Sequence, residues 1–288
     1  MFQKLALALG IGLLATIAGA APKSPAKPTP KPASASKDEI AAIRAAGVLR
    51  VATTAEDSPP FIYRDANGKR AGVDAEIAQA MAEKLGVRLE WVTGPRVSFK
   101  EVFDSLERGK ADVALAALYP TLERVSAARF TEPYFRVKQI LFVQRVRATS
   151  LKLPADFEGI VARPNLVYGY FPDAGTTDGF LRRELRAKWV AYDRVPGTEP
   201  RGKMIEDFVG GGLTAVWIDE IELEKWRHLK KNIDLYGFAV EVPRSELPIA
   251  MAVRRDRPVL LEWANLFLAQ AGRGDALRRL YRRERGTP

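Results

Sequence analysis

The 288-residue chain predicts an α/β fold whose sheets are mainly parallel and flanked by helices. Three observations carry that expectation. After a Pro-rich leader, apolar runs of strand length alternate with segments at helical spacing, the pattern of strands joined by crossover helices. The run Val137–Val146 is rich in β-branched and aromatic residues and suits a strand crossing from one lobe to another. Beyond it, a second strand, loop and helix series opens at Leu166. A hydrophobic content of 47% supplies core for one large domain or for two lobes of ordinary size.

At the start, Met1–Lys4 is basic, Leu5–Ile17 is apolar and Ala18-Gly19-Ala20 is small, so residues 1–20 read as a secretory signal peptide cut before Ala21. The apolar run falls short of the ~20 residues of a membrane span. Residues 21–37 form a Pro/Ala/Lys linker with too little apolar content to pack. The net charge is +10, and only Lys4 leaves with the signal, so the exported chain keeps about +9. The basic residues crowd into the linker and into Arg278–Arg285, without an aromatic-interleaved groove, which excludes nucleic acid as a partner. With no cysteine, the chain has no disulfide, thiolate metal site or cysteine nucleophile. The one histidine, His228, stands on a polar helix face without a second ligand, so neither a metal nor another cofactor is implied.

Folded sequence begins near Asp38. Glu39–Ala46 reads as a helix ended by Gly47 and Val48–Thr53 as a strand, with Asp57-Ser58-Pro59-Pro60-Phe61 a loop and Asp65-Ala66-Asn67-Gly68 a turn. Val73, Ile77, Met81 and Leu85 recur at helical spacing up to Gly86. Val87, Leu89 and Trp91 alternate as a strand, and Ser98-Phe99-Lys100-Glu101 is a capping box for a helix ended by Gly109. Val113–Leu118 is then a strand buried on both faces, stopped by Pro120. Thr121 can cap a helix whose first turn is Leu122, Glu123 and Arg124. An arginine there is either a plain surface residue or a fork matched to a carboxylate. The loop Glu56–Phe61 and the turn Tyr119–Arg124 both follow strands at their carboxyl ends and should face one crevice.

In the second series, Leu166–Phe171 is a strand, Pro172–Gly175 a loop, and Thr176-Thr177-Asp178 the capped start of a helix through Leu185. Met204–Phe208 reads as helix, Gly210-Gly211-Gly212 as a turn rather than a phosphate loop, and Leu213–Ile218 as a strand ending at Asp219. Pro248–Val253 is a returning strand, and helices follow over Pro258–Ala269 and Ala276–Arg283.

Taken in order, Gly47-Val48-Leu49-Arg50-Val51-Ala52, Pro60-Phe61, Gly72-Val73-Asp74, Gly109-Lys110-Ala111-Asp112, Thr121-Leu122-Glu123-Arg124, Phe130-Thr131-Glu132-Pro133-Tyr134, Gly175-Thr176-Thr177 and Ile218-Asp219 resemble the bacterial extracellular solute-binding proteins of family 3. That resemblance implies a two-lobed periplasmic binding protein fold (type II), with lobe 1 over 38–136 and 248–288 and lobe 2 over 137–247, joined by two hinge strands. It further implies a monomeric periplasmic receptor of an amino acid or related carboxylate, serving an ABC permease and doing no chemistry itself. By the resemblance, Arg124 binds the ligand carboxylate, Asp219 binds its ammonium from the opposite lobe, and Thr176 and Thr177 donate from a helix N-terminus.

The chain departs from the family where Ala116 and Ala117 replace small polar residues and Tyr119 replaces a serine or threonine. The aromatic that usually precedes Pro-Phe is also missing, and Tyr119 is the candidate to supply the stacking surface from the other side. Glu56 and Asp57 read as solvated loop acids in preference to contacts for a cationic ligand end. Cyclohexadienyl dehydratases share the fold and the opening Gly-Val-Leu-Arg-Val-Ala-Thr-Thr, so an enzyme acting on prephenate or arogenate is the alternative. At the position of their catalytic glutamate stands the shorter acid Asp178.

Overall fold

A computed structural model describes residues 38–94, 99–174, 179–193 and 200–271. In chain order the first part comprises α1 (Glu39–Ala46), β1 (Val48–Thr53), β2 (Tyr63–Arg64), β3 (Arg70–Ala71), α2 (Val73–Leu85), β4 (Arg88–Thr93), α3 (Phe99–Glu107), β5 (Val113–Ala114), α4 (Arg124–Ala127), β6 (Ala128–Phe130) and β7 (Phe135–Val137). The middle comprises β8 (Gln139–Gln144), α5 (Arg145–Ser150), α6 (Phe157–Val161), β9 (Val167–Tyr170), α7 (Gly179–Glu184), β10 (Lys188–Ala191), α8 (Pro200–Val209), β11 (Ala215–Asp219), α9 (Glu220–Leu229), α10 (Ile233–Tyr236) and β12 (Gly237–Glu241). The chain then closes through β13 (Leu247–Ile249), β14 (Ala252–Arg254) and α11 (Pro258–Ala271).

Each lobe holds one five-stranded sheet, in the order β4-β1-β5-β14-β6 for the first and β10-β9-β11-β8-β12 for the second. In each, one strand runs against the other four. That strand is β14 in the first sheet and β8 in the second. Both reversed strands arrive directly from the antiparallel pair β7–β13, in which Val137 faces Leu247. The two chain passages between sheets are thus hydrogen-bonded to each other, and the expected crossing run splits at Lys138 into β7 and β8.

The first sheet sorts its side chains by size. Leu49, Val51, Val113, Met251 and Val253 face one side and pack with Ile77 and Met81 of α2 and Leu260, Ala264 and Leu268 of α11. Ala52, Ala114 and Ala252 face the other and meet Val102, Phe103 and Leu106 of α3. Successive strand residues point to opposite faces, so neighbouring positions in β1, β5 and β14 supply a bulky face and a small one. Small residues let the aromatic stripe of α3 sit close, with the apolar side chains in van der Waals contact. In the second sheet Phe142, Val216 and Ile218 pack with Met204, Phe208 and Trp226. Leu141, Val143, Ala215 and Trp217 pack with Ile160 and Tyr168.

Local signals placed both limits of α1 and the end of α2. Asp38 accepts from Ala41 N at 2.9 Å, and Gly47 and Gly86 close α1 and α2 in the left-handed conformation. The turn at Asp65 joins the short hairpin β2–β3, its carboxylate accepting from Asn67 N and Lys69 N at 2.9 Å. Two expectations need correction. The strand expected to reach Leu118 ends as β5 at Ala114, and α4 has only four residues. The caps expected at Ser98 and at Thr176-Thr177-Asp178, and the helix over Ala276–Arg283, lie outside the described residues.

Candidate functional site

The early end of β5 has a physical cause. Leu115 N still donates to Ala52 O at 3.0 Å, but Ala117 turns to φ 49 and its N–H donates to Asp74 Oδ2 at 2.7 Å. Left-handed backbone costs a residue with a Cβ about 1–2 kcal/mol. The bond to Asp74 offsets it. Asp74 is fully buried at the start of α2, and its other oxygen accepts from Tyr134 OH at 2.6 Å. Burial raises its pKa to about 7, against the lowering effect of those two bonds. This turn delivers Ala116, Ala117 and Tyr119 to the edge of the first sheet.

These residues form one wall of a pocket open to solvent on one side. Ser58, Phe99, Ala116, Ala117 and Tyr119 line it from the first lobe, and Phe171, Ala174, Ile218, Asp219, Ile221, Glu222 and Lys225 from the second. It sits where β5, β9 and β11 end, the position at which open α/β sheets hold ligands. The expected residues Ala117, Tyr119 and Asp219 are brought together here. Tyr119 OH donates to Asp219 Oδ2 at 2.8 Å, a buried bond between the walls. Asp219 also caps α9, its Oδ1 accepting from Glu222 N at 2.8 Å. Burial pushes its pKa up, as does the nearby Glu222 carboxylate, while the two hydrogen bonds and Lys225 pull it down.

Arg124 takes a different place from the one its helix position suggested. It is buried, its guanidinium stacked 4.6 Å from the ring centre of Phe99 and 5.7 Å from that of Phe103, and Nη1 donates to Tyr119 O at 2.9 Å. It therefore stands behind two lining residues rather than among the described lining itself. Thr121 Oγ1 accepts from Arg124 N at 3.2 Å across the turn that precedes α4, but the helix starts at Arg124 with Glu123 in the N-cap position, which corrects the cap expected of Thr121 and the first turn expected at Leu122. Thr176, Thr177 and Asp178 lie outside the described residues. Phe99, Tyr119 and Phe171 are the aromatic residues of the lining, and the Tyr119 hydroxyl is engaged by Asp219.

Sequence reasoning also missed an ion cluster at one end of the pocket. Arg201 of α8 grips Glu222 with two N–H groups, Nη2 to Oε2 at 3.1 Å and Nε to Oε1, and Nη1 pairs with Glu56 of the first lobe. Glu56 is thus not the solvated acid expected; Asp57 is half exposed and lies 3.7 Å from Arg70. Trp226 Nε1 adds a bond to Glu222 at 3.1 Å, and Lys225 Nζ lies 3.7 Å away. Burial lowers the Arg201 pKa, but Glu222 and Glu56 together raise it above its ordinary value. A local signal for Glu222 existed, because an N-cap acid followed three residues later by Glu is a helix-start pattern. Arg201 and Glu56 carried none. His228 is exposed, as expected.

Residues 49–286 match the family described as bacterial extracellular solute-binding proteins, family 3. The chain belongs to that family. Its fold resembles an ancestral cationic amino-acid solute-binding protein at 27% identity, with a TM-score of 0.62 and coverage of 85% of this chain and 98% of that one. It also resembles an amino acid ABC transporter substrate-binding protein from Streptococcus pneumoniae bound to L-arginine, at 23% identity, TM-score 0.64, and 85% and 97% coverage. A membrane-bound lytic murein transglycosylase F from Salmonella typhi is 38% identical over 233 residues, covering 77% of this chain but 42% of its own length. The chain spans less than half of such curated relatives. Among the described residues, no helix is long and apolar enough to cross a membrane.

Proposed function

We propose that this protein is a periplasmic receptor that captures a small amino-acid-like ligand between its lobes and presents it, as a monomer, to an ABC permease. The observation that carries this reading is the pocket at the carboxyl ends of both sheets, where Tyr119 and Asp219 meet from opposite walls. The amino-acid proteins among its structural neighbours support the ligand class. Asp219 takes the ligand ammonium, each carboxylate oxygen keeping acceptor capacity beyond the bond it already receives. Arg124 places its charge at the Phe99–Tyr119 side for the carboxylate, and Thr176, Thr177 and Asp178 complete the second wall. Lobe 1 comprises 38–136 and 248–288, lobe 2 comprises 137–247, and residues 1–20 direct export.

A thermal-shift panel of amino acids and simple carboxylates tests the reading. Ligand at a hundredfold over its dissociation constant adds ~2.7 kcal/mol, a shift of roughly 5–11 °C for a protein of this size. At least one amino acid should reach that range, and its effect should vanish in Arg124→Ala. A panel in which nothing stabilises the protein removes the receptor reading. Incubation with prephenate or arogenate should yield no product above background; turnover abolished by Asp178→Ala would install the dehydratase instead.

A further inference from the structure

We propose that Arg201 makes this cleft selective for amino acids of no net charge with an apolar side chain, because it holds at the cleft the positive charge that a cationic side chain would bring. The inference rests on the amino-acid reading above and names the substrate class within it. Its basis is the ion cluster at one end of the pocket. There the acids Glu222 and Glu56 face the bases Arg201 and Lys225. They cancel. A zwitterion adds no net charge to this set, whereas arginine or lysine adds one that finds its candidate acids taken.

The geometry shows how thoroughly they are taken. Glu222 is the lining acid besides Asp219 and is 5% exposed; both its oxygens are engaged by Arg201, Oε1 also by Trp226, with Lys225 close to Oε2. Glu56 is reached by the same guanidinium from the facing lobe. A ligand ammonium or guanidinium arriving here meets a Glu222 whose charge is already matched by Arg201, which stands outside the lining, and a like charge so placed disfavours a cationic partner as lost contacts do. The rest of the lining suits carbon. Phe99, Phe171, Ala116, Ala174, Ile218 and Ile221 offer apolar surface, and the Arg201 guanidinium itself lies 6.0 Å from the Phe171 ring centre. The arrangement specifies selection by a built-in cation, with Arg201 acting through Glu222 and Glu56.

Calorimetric titration of the whole protein with L-leucine, L-phenylalanine, L-glutamate, L-arginine and L-lysine tests this. In the wild type, leucine or phenylalanine should bind at least about tenfold more tightly than arginine or lysine. Arg201→Met uncovers two carboxylates and should shift the preference toward arginine and lysine by about tenfold or more, while Arg201→Lys keeps the charge without the fork and should retain part of the wild-type order. Should Arg201→Met fail to fold, Glu56→Gln serves: it leaves an unmatched positive charge and should improve glutamate relative to leucine by about threefold. Wild-type binding of arginine or lysine tighter than any neutral amino acid overturns the selectivity and spares the receptor. An unchanged arginine-to-leucine ratio in folded Arg201→Met, or an unchanged glutamate-to-leucine ratio in Glu56→Gln, also overturns it. Binding of no amino acid of any charge overturns both.

Discussion

Asp74 shows how far from the pocket a single carboxyl can act. It shapes the site without lining it, because its bond to Ala117 N sets the turn that carries Ala116 and Tyr119. Its pKa of about 7 exceeds that of an unfolded aspartate, so between about pH 4 and 7 the folded chain binds more protons than the unfolded one. Stability therefore falls as pH rises through that window. Urea unfolding should show a loss on the order of 3 kcal/mol across it, and Asp74→Asn, which stays neutral, should flatten the profile. A wild-type profile that rises over the same window would contradict the buried-acid origin. Asp219 shifts in the same direction and adds to the effect. At this scale the sequence was legible where a residue ended an element, as Asp219 does. Arg201 and Glu56 were not, because an ion pair between distant segments leaves no local pattern.

Elements were legible where their limits were chemical. Gly47, Gly86 and Asp38 bound α1 and α2 where glycine and a short acid are expected to. The short strands β10 and β12 were missed because they flank the second sheet and carry no sustained alternation of buried and exposed residues. The strand toward Leu118 was overread because its apolar run continues through a turn that only Asp74, from another element, enforces. Gly72 joins these elements: at φ 101 it leads into α2, and a Cβ there would lie 2.5 Å from Phe61 O and 2.6 Å from Pro60 O. Those carbonyls accept from Asp74 N at 2.8 Å and Val73 N at 3.1 Å, so they cannot retreat without loosening the helix start. Gly72→Ala should cost at least ~2–3 kcal/mol in denaturant unfolding, through strain and overlap together. A cost under ~0.5 kcal/mol would show the loop to be soft.

For the whole molecule, the alternation of strand and helix foretold two α/β units, but not the reversal of one strand in each sheet. That reversal follows from the paired passages β7 and β13, each handing the chain to a strand entering from the opposite end. The same connection sets the two carboxyl edges on either side of one pocket, so ligand affinity should depend on residues from both lobes at once. Calorimetry with the best-stabilising amino acid is the most direct test, comparing wild type with Arg124→Ala from one side and Asp219→Asn from the other. One ligand per chain should bind, and each substitution should weaken it by a factor on the order of a hundred, since each leaves a charged ligand end without its partner. Wild-type affinity in both variants would mean that the ligand does not lie between Arg124 and Asp219.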